Sequence, residues 1–344
     1  MAEQTTKTLD IEQVVNDILA TIDREREREI VSRRFGLFDR KETLEQIGEL
    51  LGITRERVRQ LEKAVVTKLK SNEKDLPHIT AIQTQFTTEL EALGGAARVS
   101  ELSSKVTKEN TRIDQARVSF LSQLCSSLVV LDENDHFFLS VGIAKLHDEK
   151  KMKDQVAKVI EAIKKIAEPT TVDTIAVAVK DADKAHVAAL ASTRKHLATL
   201  HGRWGLVKWP MVNPKNIRYK IYVILHENGK PLHFNEIAKA IKDSDFKRKD
   251  VTTQAIHNEL IKDGRFVLIG RGIYALKEWG YAKGTVADII SDVLKKANEP
   301  LHRDEIVKRV LKSRQVKETT ILLNLQGKAQ FKRVAKATYA LAEK

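Results

Sequence analysis

Apolar residues recur at helical spacing from the start of the chain. Leu9, Val14, Val15, Ile18, Leu19 and Ile22 line one side of a helix. The alternating Glu/Arg run at residues 23–29 continues that helix with side chains placed to pair around it. After Gly36 a polar loop at 38–42 leads to a second helix near Thr43, a residue suited to capping. A third helix runs over residues 54–70, and residues 72–77 read as a linker. The pattern marks residues 1–72 as one small helical domain.

The remainder reads as a repeat of four stretches. Each begins with an amphipathic helix, turns into a second helix, adds a third and closes in a short aromatic-rich strand pair. The turns are Gly94-Gly95-Ala96, Glu168-Pro169-Thr170, Gly229-Lys230-Pro231 and Asn298-Glu299-Pro300. The closing strands hold Phe137-Phe138-Leu139, the stretch from Trp204 to Trp209, Ile273-Tyr274-Ala275-Leu276 and Thr338-Tyr339-Ala340-Leu341. Two stretches are near copies, Pro231-Leu232-His233-Phe234-Asn235-Glu236-Ile237 and Pro300-Leu301-His302-Arg303-Asp304-Glu305-Ile306. In both, a proline stops the incoming segment and Asn235 or Asp304 is expected to cap the next helix. Modules are expected at 78–142, 148–212, 215–280 and 283–342. The expected fold class is mostly α: a helix-turn-helix domain followed by tandem winged-helix modules with short β wings.

Residues 44–62 carry the most demanding pattern. Two helices that cross sharply need a small residue at the contact, and Gly48 stands there. The turn needs positive φ, which Gly52 supplies. Ile47, Leu51, Ile53, Val58 and Leu61 point inward and lock the pair. Arg55, Glu56, Arg59 and Gln60 remain outward at the start of the second helix, the end that enters a major groove. Arginine can fork onto guanine, glutamine can pair with adenine and glutamate can accept from cytosine. Thr54 caps this helix, whose first amides favour a phosphate.

Composition narrows the class of protein without choosing one. The formal charge of +13 is uneven: residues 1–72 are neutral, 73–140 carry −4 and 141–344 carry +17. The basic excess therefore lies away from the clearest motif and attracts polyanions without specifying one. No apolar run approaches a bilayer span, and the polar start lacks an apolar signal core. The single Cys125 excludes an intrachain disulfide and a multi-cysteine zinc site; on a helical stretch it reads as a small buried side chain. No phosphate-cradling glycine loop, metal cluster or nucleophile elbow occurs. Neither an enzyme nor a cofactor is expected, and a cytoplasmic, nucleoid-associated location is.

Residues 26–70 closely resemble region 4 of the bacterial housekeeping sigma factors. The likeness lies in Arg33-Arg34-Phe35-Gly36-Leu37, Thr43-Leu44-Glu45-Gln46-Ile47-Gly48 and the run from Thr54 to Glu62, about an eighth of the chain. The resemblance implies recognition of the −35 promoter element and docking on the flap of the RNA polymerase β subunit. It places base contacts on Arg55, Glu56, Arg59 and Gln60, and phosphate contacts on Arg26, Thr43 and Arg57. Only 25 residues precede Arg26 and none is aromatic, so sigma-like melting of the −10 strand is not expected. The third module is similar to the HARE helix-turn-helix domain found in the RNA polymerase delta subunit.

Smaller signals lie in that module. Lys247-Arg248-Lys249 precede an expected recognition helix at 251–262, and Arg265 and Arg271 flank a wing. These read as a phosphate-gripping surface or as the soluble edge of a protein-binding module. His233 and His302 match in the repeat and suggest a role near a helix cap. Trp204, Trp209 and Trp279 suggest wing packing or base stacking. The expected partners are duplex DNA and RNA polymerase, with no membrane and no small-molecule substrate. A polymerase-binding adaptor and a sequence-indifferent nucleoid protein remain as alternatives.

Overall fold

The computed structural model describes residues 9–281, 284–314 and 316–342. It divides into two compact units after Lys208. In the first unit, four helices open the chain: α1 (Ile11–Ala20), α2 (Glu25–Phe35), α3 (Leu44–Leu51) and α4 (Arg55–Ser71). The single helix expected through residue 29 is two helices. Thr21 donates its hydroxyl to the Ile18 carbonyl at 2.7 Å, and Ile22 turns into the core. The chain then restarts at Glu25, where Glu25 and Glu27 complement the helix dipole.

A 3₁₀ turn (Glu73–Asp75) leads to α5 (Ile79–Ala92), β1 (Ala96–Arg98), α6 (Val99–Val106), α7 (Arg112–Leu124), β2 (Leu128–Leu131) and β3 (Ser140–Ile143). Then come α8 (Glu149–Ile166), β4 (Thr170–Thr171), α9 (Val172–Val179), α10 (Lys184–Ser192), β5 (Leu197–Leu200) and β6 (Arg203–Leu206). The second unit holds α11 (Ile217–Asn228), β7 (Leu232–His233), α12 (Phe234–Asp243), α13 (Thr253–Lys262), β8 (Phe266–Gly270) and β9 (Ile273–Leu276). It continues with α14 (Val286–Ala297), β10 (Leu301–His302), α15 (Arg303–Ser313), α16 (Glu318–Gly327), β11 (Phe331–Ala335) and β12 (Thr338–Leu341).

The order helix, strand, helix, helix, strand, strand thus occurs four times. The strands form antiparallel sheets ordered β1-β3-β2, β4-β6-β5, β7-β9-β8 and β10-β12-β11. The first strand of each set is too short to show a period-2 pattern, and sequence reading missed it. Its backbone pairs with the last strand and so ties the turn before the second helix to the closing hairpin.

Two expectations are corrected by these details. The caps of α12 and α15 are His233 and His302, whose Nδ1 atoms each accept from an amide two residues on, at 3.3 Å. Asn235 and Asp304 therefore sit inside the first turn. The closing strand of the first repeat lies at Ser140–Ile143, beyond Phe137-Phe138-Leu139. Those rings lie where the first and second repeats meet. Arg98 stacks 4.0 Å from the Phe138 centroid, Arg194 stacks 4.6 Å from Phe137, and the Phe138 amide donates to the Thr193 carbonyl at 2.9 Å.

The stretch at 72–77 is no slack linker, because Leu76 is buried. One core runs from α1 through α2 and α4 into α5, α6 and α7, with Ile18, Val31, Leu37, Leu69, Ile82, Phe86 and Phe120 all inside it. Cys125 closes α7 and is buried, as its chemistry suggests. No described helix is long and apolar enough to cross a membrane.

Candidate nucleic-acid interface

Helices α2, α3 and α4 pack around Ile30, Ile47 and Val58, each fully buried, with Leu44, Leu51, Ile53 and Leu61 closing the cluster. A Cβ on Gly48 would stand 2.7 Å from the Ile53 carbonyl oxygen, so the crossing of α3 and α4 admits no side chain there. Gly52 has φ +63°, and its amide donates to Glu49 at the end of α3. Thr43 caps α3 in a reciprocal box with Gln46, at 3.2 and 2.9 Å. Thr54 accepts from the Arg57 amide at 3.2 Å and sets the start of α4.

Arg33 binds Glu29 and Glu42, each at 2.9 Å, and those carboxylates raise its pKa further. Arg34 reaches Glu62 at 3.3 Å and the Glu42 carbonyl at 3.4 Å. These two arginines brace α2 against the loop and α4, leaving the opposite side of α4 open.

On that open side Arg55, Glu56, Arg57, Arg59 and Gln60 are all exposed. The Arg59 guanidinium forks onto Glu56 at 2.6 and 2.9 Å, and Gln60 donates to the same carboxylate at 3.4 Å. The hydrogen bond from Arg59 holds Glu56 below the usual carboxylate range and raises Arg59 in turn. Arg55 meets Glu45 of α3 at 2.8 Å. Glu45 was missed by sequence reasoning; its only signal is its place on the exposed face of α3, across the turn. Arg26 donates to the Leu51 carbonyl and so caps the C-terminal end of α3. The fold therefore gathers Arg26, Thr54, Arg55, Glu56, Arg57, Arg59 and Gln60 around one turn. Leu50, 56% exposed on α3, adds an apolar spot that charge-based reading passed over.

Residues 24–71 match the family model of sigma-70, region 4. The chain is similar to RNA polymerase sigma factor sigB of Arabidopsis thaliana, 45% identical over 51 residues, 14% of this chain and 9% of that protein. RNA polymerase sigma factor SigA of a Bacillus species is 43% identical over 61 residues, 17% of this chain and 16% of that protein. RNA polymerase sigma factor RpoD of Helicobacter pylori strain 26695 is 42% identical over 64 residues, 18% of this chain and 9% of that protein. The match thus spans less than a fifth of each of these relatives. The segment that matches region 4 covers α2, α3 and α4 with all of their mutual packing.

Within the second unit Lys247, Arg248 and Lys249 are exposed in the stretch between α12 and α13, and Lys249 also donates to the Ser244 carbonyl at 3.2 Å. Arg271 is exposed at the tip between β8 and β9. Arg265 is committed elsewhere: it pairs with Asp263 at 2.6 Å and stacks 4.8 Å from the Tyr219 ring. Trp279 packs against Val267, Ile269 and Ala275. Among the described residues no group of three or more His, Cys, Asp or Glu side chains could hold a metal ion.

Proposed function

We propose that the chain is a non-enzymatic DNA-binding transcription factor that reads a −35-type promoter element through α4. The observation that carries this reading is the exposed set Arg55, Glu56, Arg59 and Gln60 on the first turns of α4, within a segment that matches sigma-70 region 4. Arg55 and Arg59 supply forks for guanine, Glu56 an acceptor for cytosine and Gln60 a pair for adenine. Arg26, Thr43, Thr54 and Arg57 hold phosphates beside them. In the unbound chain Arg59 and Gln60 hold Glu56 and Arg55 holds Glu45, and DNA exchanges those contacts for base edges. Similarity to RNA polymerase sigma factors supports RNA polymerase as a second partner, and on this reading the chain meets the β flap during initiation.

The four repeats are winged helices on this reading, the third of the HARE type. Each sheet is the wing, and the helix before it is the recognition helix. Lys247, Arg248, Lys249 and Arg271 then grip DNA backbone.

The test is selection of bound sequences from randomised duplex DNA by the full chain at moderate salt. Enrichment of a short −35-like element, abolished by Arg59→Ala, is the expected result. Binding without enrichment would replace this reading with that of a polymerase adaptor or a nucleoid protein.

A further inference from the structure

The third repeat differs from the others in one place. Its second and third helices are joined by residues 244–252, where the corresponding joins are 107–111, 180–183 and 314–317. The longer join carries Lys247, Arg248 and Lys249, and Arg248 adopts φ +54°. A side chain from another helix shapes this loop. Lys220 of α11 is 2% exposed, and its Nζ donates to the Lys247 carbonyl at 2.8 Å and the Arg248 carbonyl at 2.5 Å. Two carbonyls are thereby turned inward.

A buried lysine is no requirement of the repeat. Counting back equally from the left-handed residue that ends each first helix (Gly229, Asn298 and Ala167), its place is taken by the buried Ile289 in the fourth repeat and the exposed Lys158 in the second. Burying an ammonium is unfavourable unless carbonyls repay the lost water. Burial, with Arg248 nearby, lowers the Lys220 pKa from the ordinary lysine value. The lysine is there for the loop.

The shaped loop borders an open concavity of about 420 Å³ lined by Lys215, Arg218, Lys220, Arg248, Val251 and Glu259, among others. Lys215 and Arg218 are exposed at the start of α11. Glu259 lies 3.9 Å from Arg218, and Asp245 and Asp250 are exposed along the loop. The cationic side chains outnumber these carboxylates, and they come from two separate segments, the start of α11 and the loop before α13. Such a bracket suits the spaced monoanions of a phosphodiester chain.

We propose that Lys215, Arg218, Lys247 and Arg248 form a phosphodiester clamp for duplex DNA, with Lys220 as the positioning residue that holds the loop in shape. This deepens the reading of the third repeat as a backbone-gripping module. It adds α11 to the contact surface and gives the buried lysine a purpose.

The experiment measures affinity of the full chain for a duplex of arbitrary sequence over a range of salt. Lys215→Gln with Arg218→Gln, both at the surface, is expected to weaken binding to all sequences alike. The slope of log affinity against log salt should become shallower by about 0.9 for each phosphate contact removed. Lys220→Met should reproduce the loss seen with glutamines at Lys247 and Arg248, and combining the two should add little. A purely structural lysine would instead lower the melting temperature and leave the slope alone. An unchanged slope in the Lys215/Arg218 variant overturns the clamp. Sequence enrichment by α4 is scored separately through Arg59→Ala, so failure of the promoter reading and failure of the clamp are distinct outcomes.

Discussion

Arg59 and Glu56 hold each other in a forked pair at the surface, and that arrangement defines what each substitution should do. Replacing Arg59 by alanine removes the fork for one base and frees Glu56. The expected outcome is a loss of roughly tenfold to a hundredfold in affinity for the selected element, with binding to scrambled duplex unchanged. Competition binding with the two duplexes measures this directly. Gly48 makes a different prediction, because its missing Cβ leaves room for the Ile53 carbonyl. Gly48→Ala forces α3 and α4 apart and should destabilise the first unit by about 1–3 kcal/mol, read as a lowered melting transition. Cys125 is informative through its inertness. Burial pushes its thiol up to about 12, so it should resist alkylation at neutral pH until the chain is unfolded.

Between elements, the decisive side chain is Arg117 of α7. It is 7% exposed, donates from Nε to the Leu37 carbonyl at 2.8 Å and pairs with Glu12 at 2.9 Å. Arg117→Met would leave that buried carbonyl without its donor. The expected loss is about 1–3 kcal/mol, and amide exchange should quicken in α1 and α2 as well as α7. His147, wedged beside Gly142 and bonded to Gln155 at 3.1 Å, adds a pH dependence. Burial lowers its pKa below the ordinary 6.5. On acidification below 6.5 the unfolded chain takes up a proton that the folded ring resists, so stability falls until the folded pKa is reached. His196, lowered by the same cause, acts in the same direction. Melting curves across that range should show the fall, and His147→Gln should flatten it.

Elements of this kind also show what the sequence makes legible. The helix-turn-helix was readable because it depends on near-neighbour chemistry: two glycines, two capping threonines and an apolar stripe within twenty residues. The first strand of each sheet was not readable, since a two- or three-residue strand leaves no periodicity and exists through pairing with a distant partner. The break in the first helix escaped because Thr21 and Ile22 have ordinary helix propensity, and tertiary burial of Ile22 overrides it. Likewise the aromatic run at Phe137 has strand composition but spends its rings on guanidinium stacking, with Arg98 of its own repeat and Arg194 of the next. Arg55, Glu56, Arg59 and Gln60 were identified as a set, while the partner carboxylate Glu45 depends on a fold across the turn.

For the molecule as a whole, the basic excess and the proposed base-reading turn reside in different places. Residues 1–72, which contain the helix-turn-helix, are neutral overall and the stretch 141–344 carries +17. Salt should therefore weaken total affinity steeply while changing sequence discrimination little. Parallel titrations of selected and scrambled duplex at several salt concentrations test this, with a constant ratio of affinities as the expected result. The core shared by α1, α2, α4, α5 and α7 has a further consequence for anyone wishing to move the reader elsewhere. Excision of residues 24–71 would bare Val31, Leu37, Val65 and Leu69, which α1 and α7 now cover. The segment that matches region 4 is thus not a portable cassette. The compact unit that holds it runs on from α1 to β6, and any graft would have to carry that unit whole.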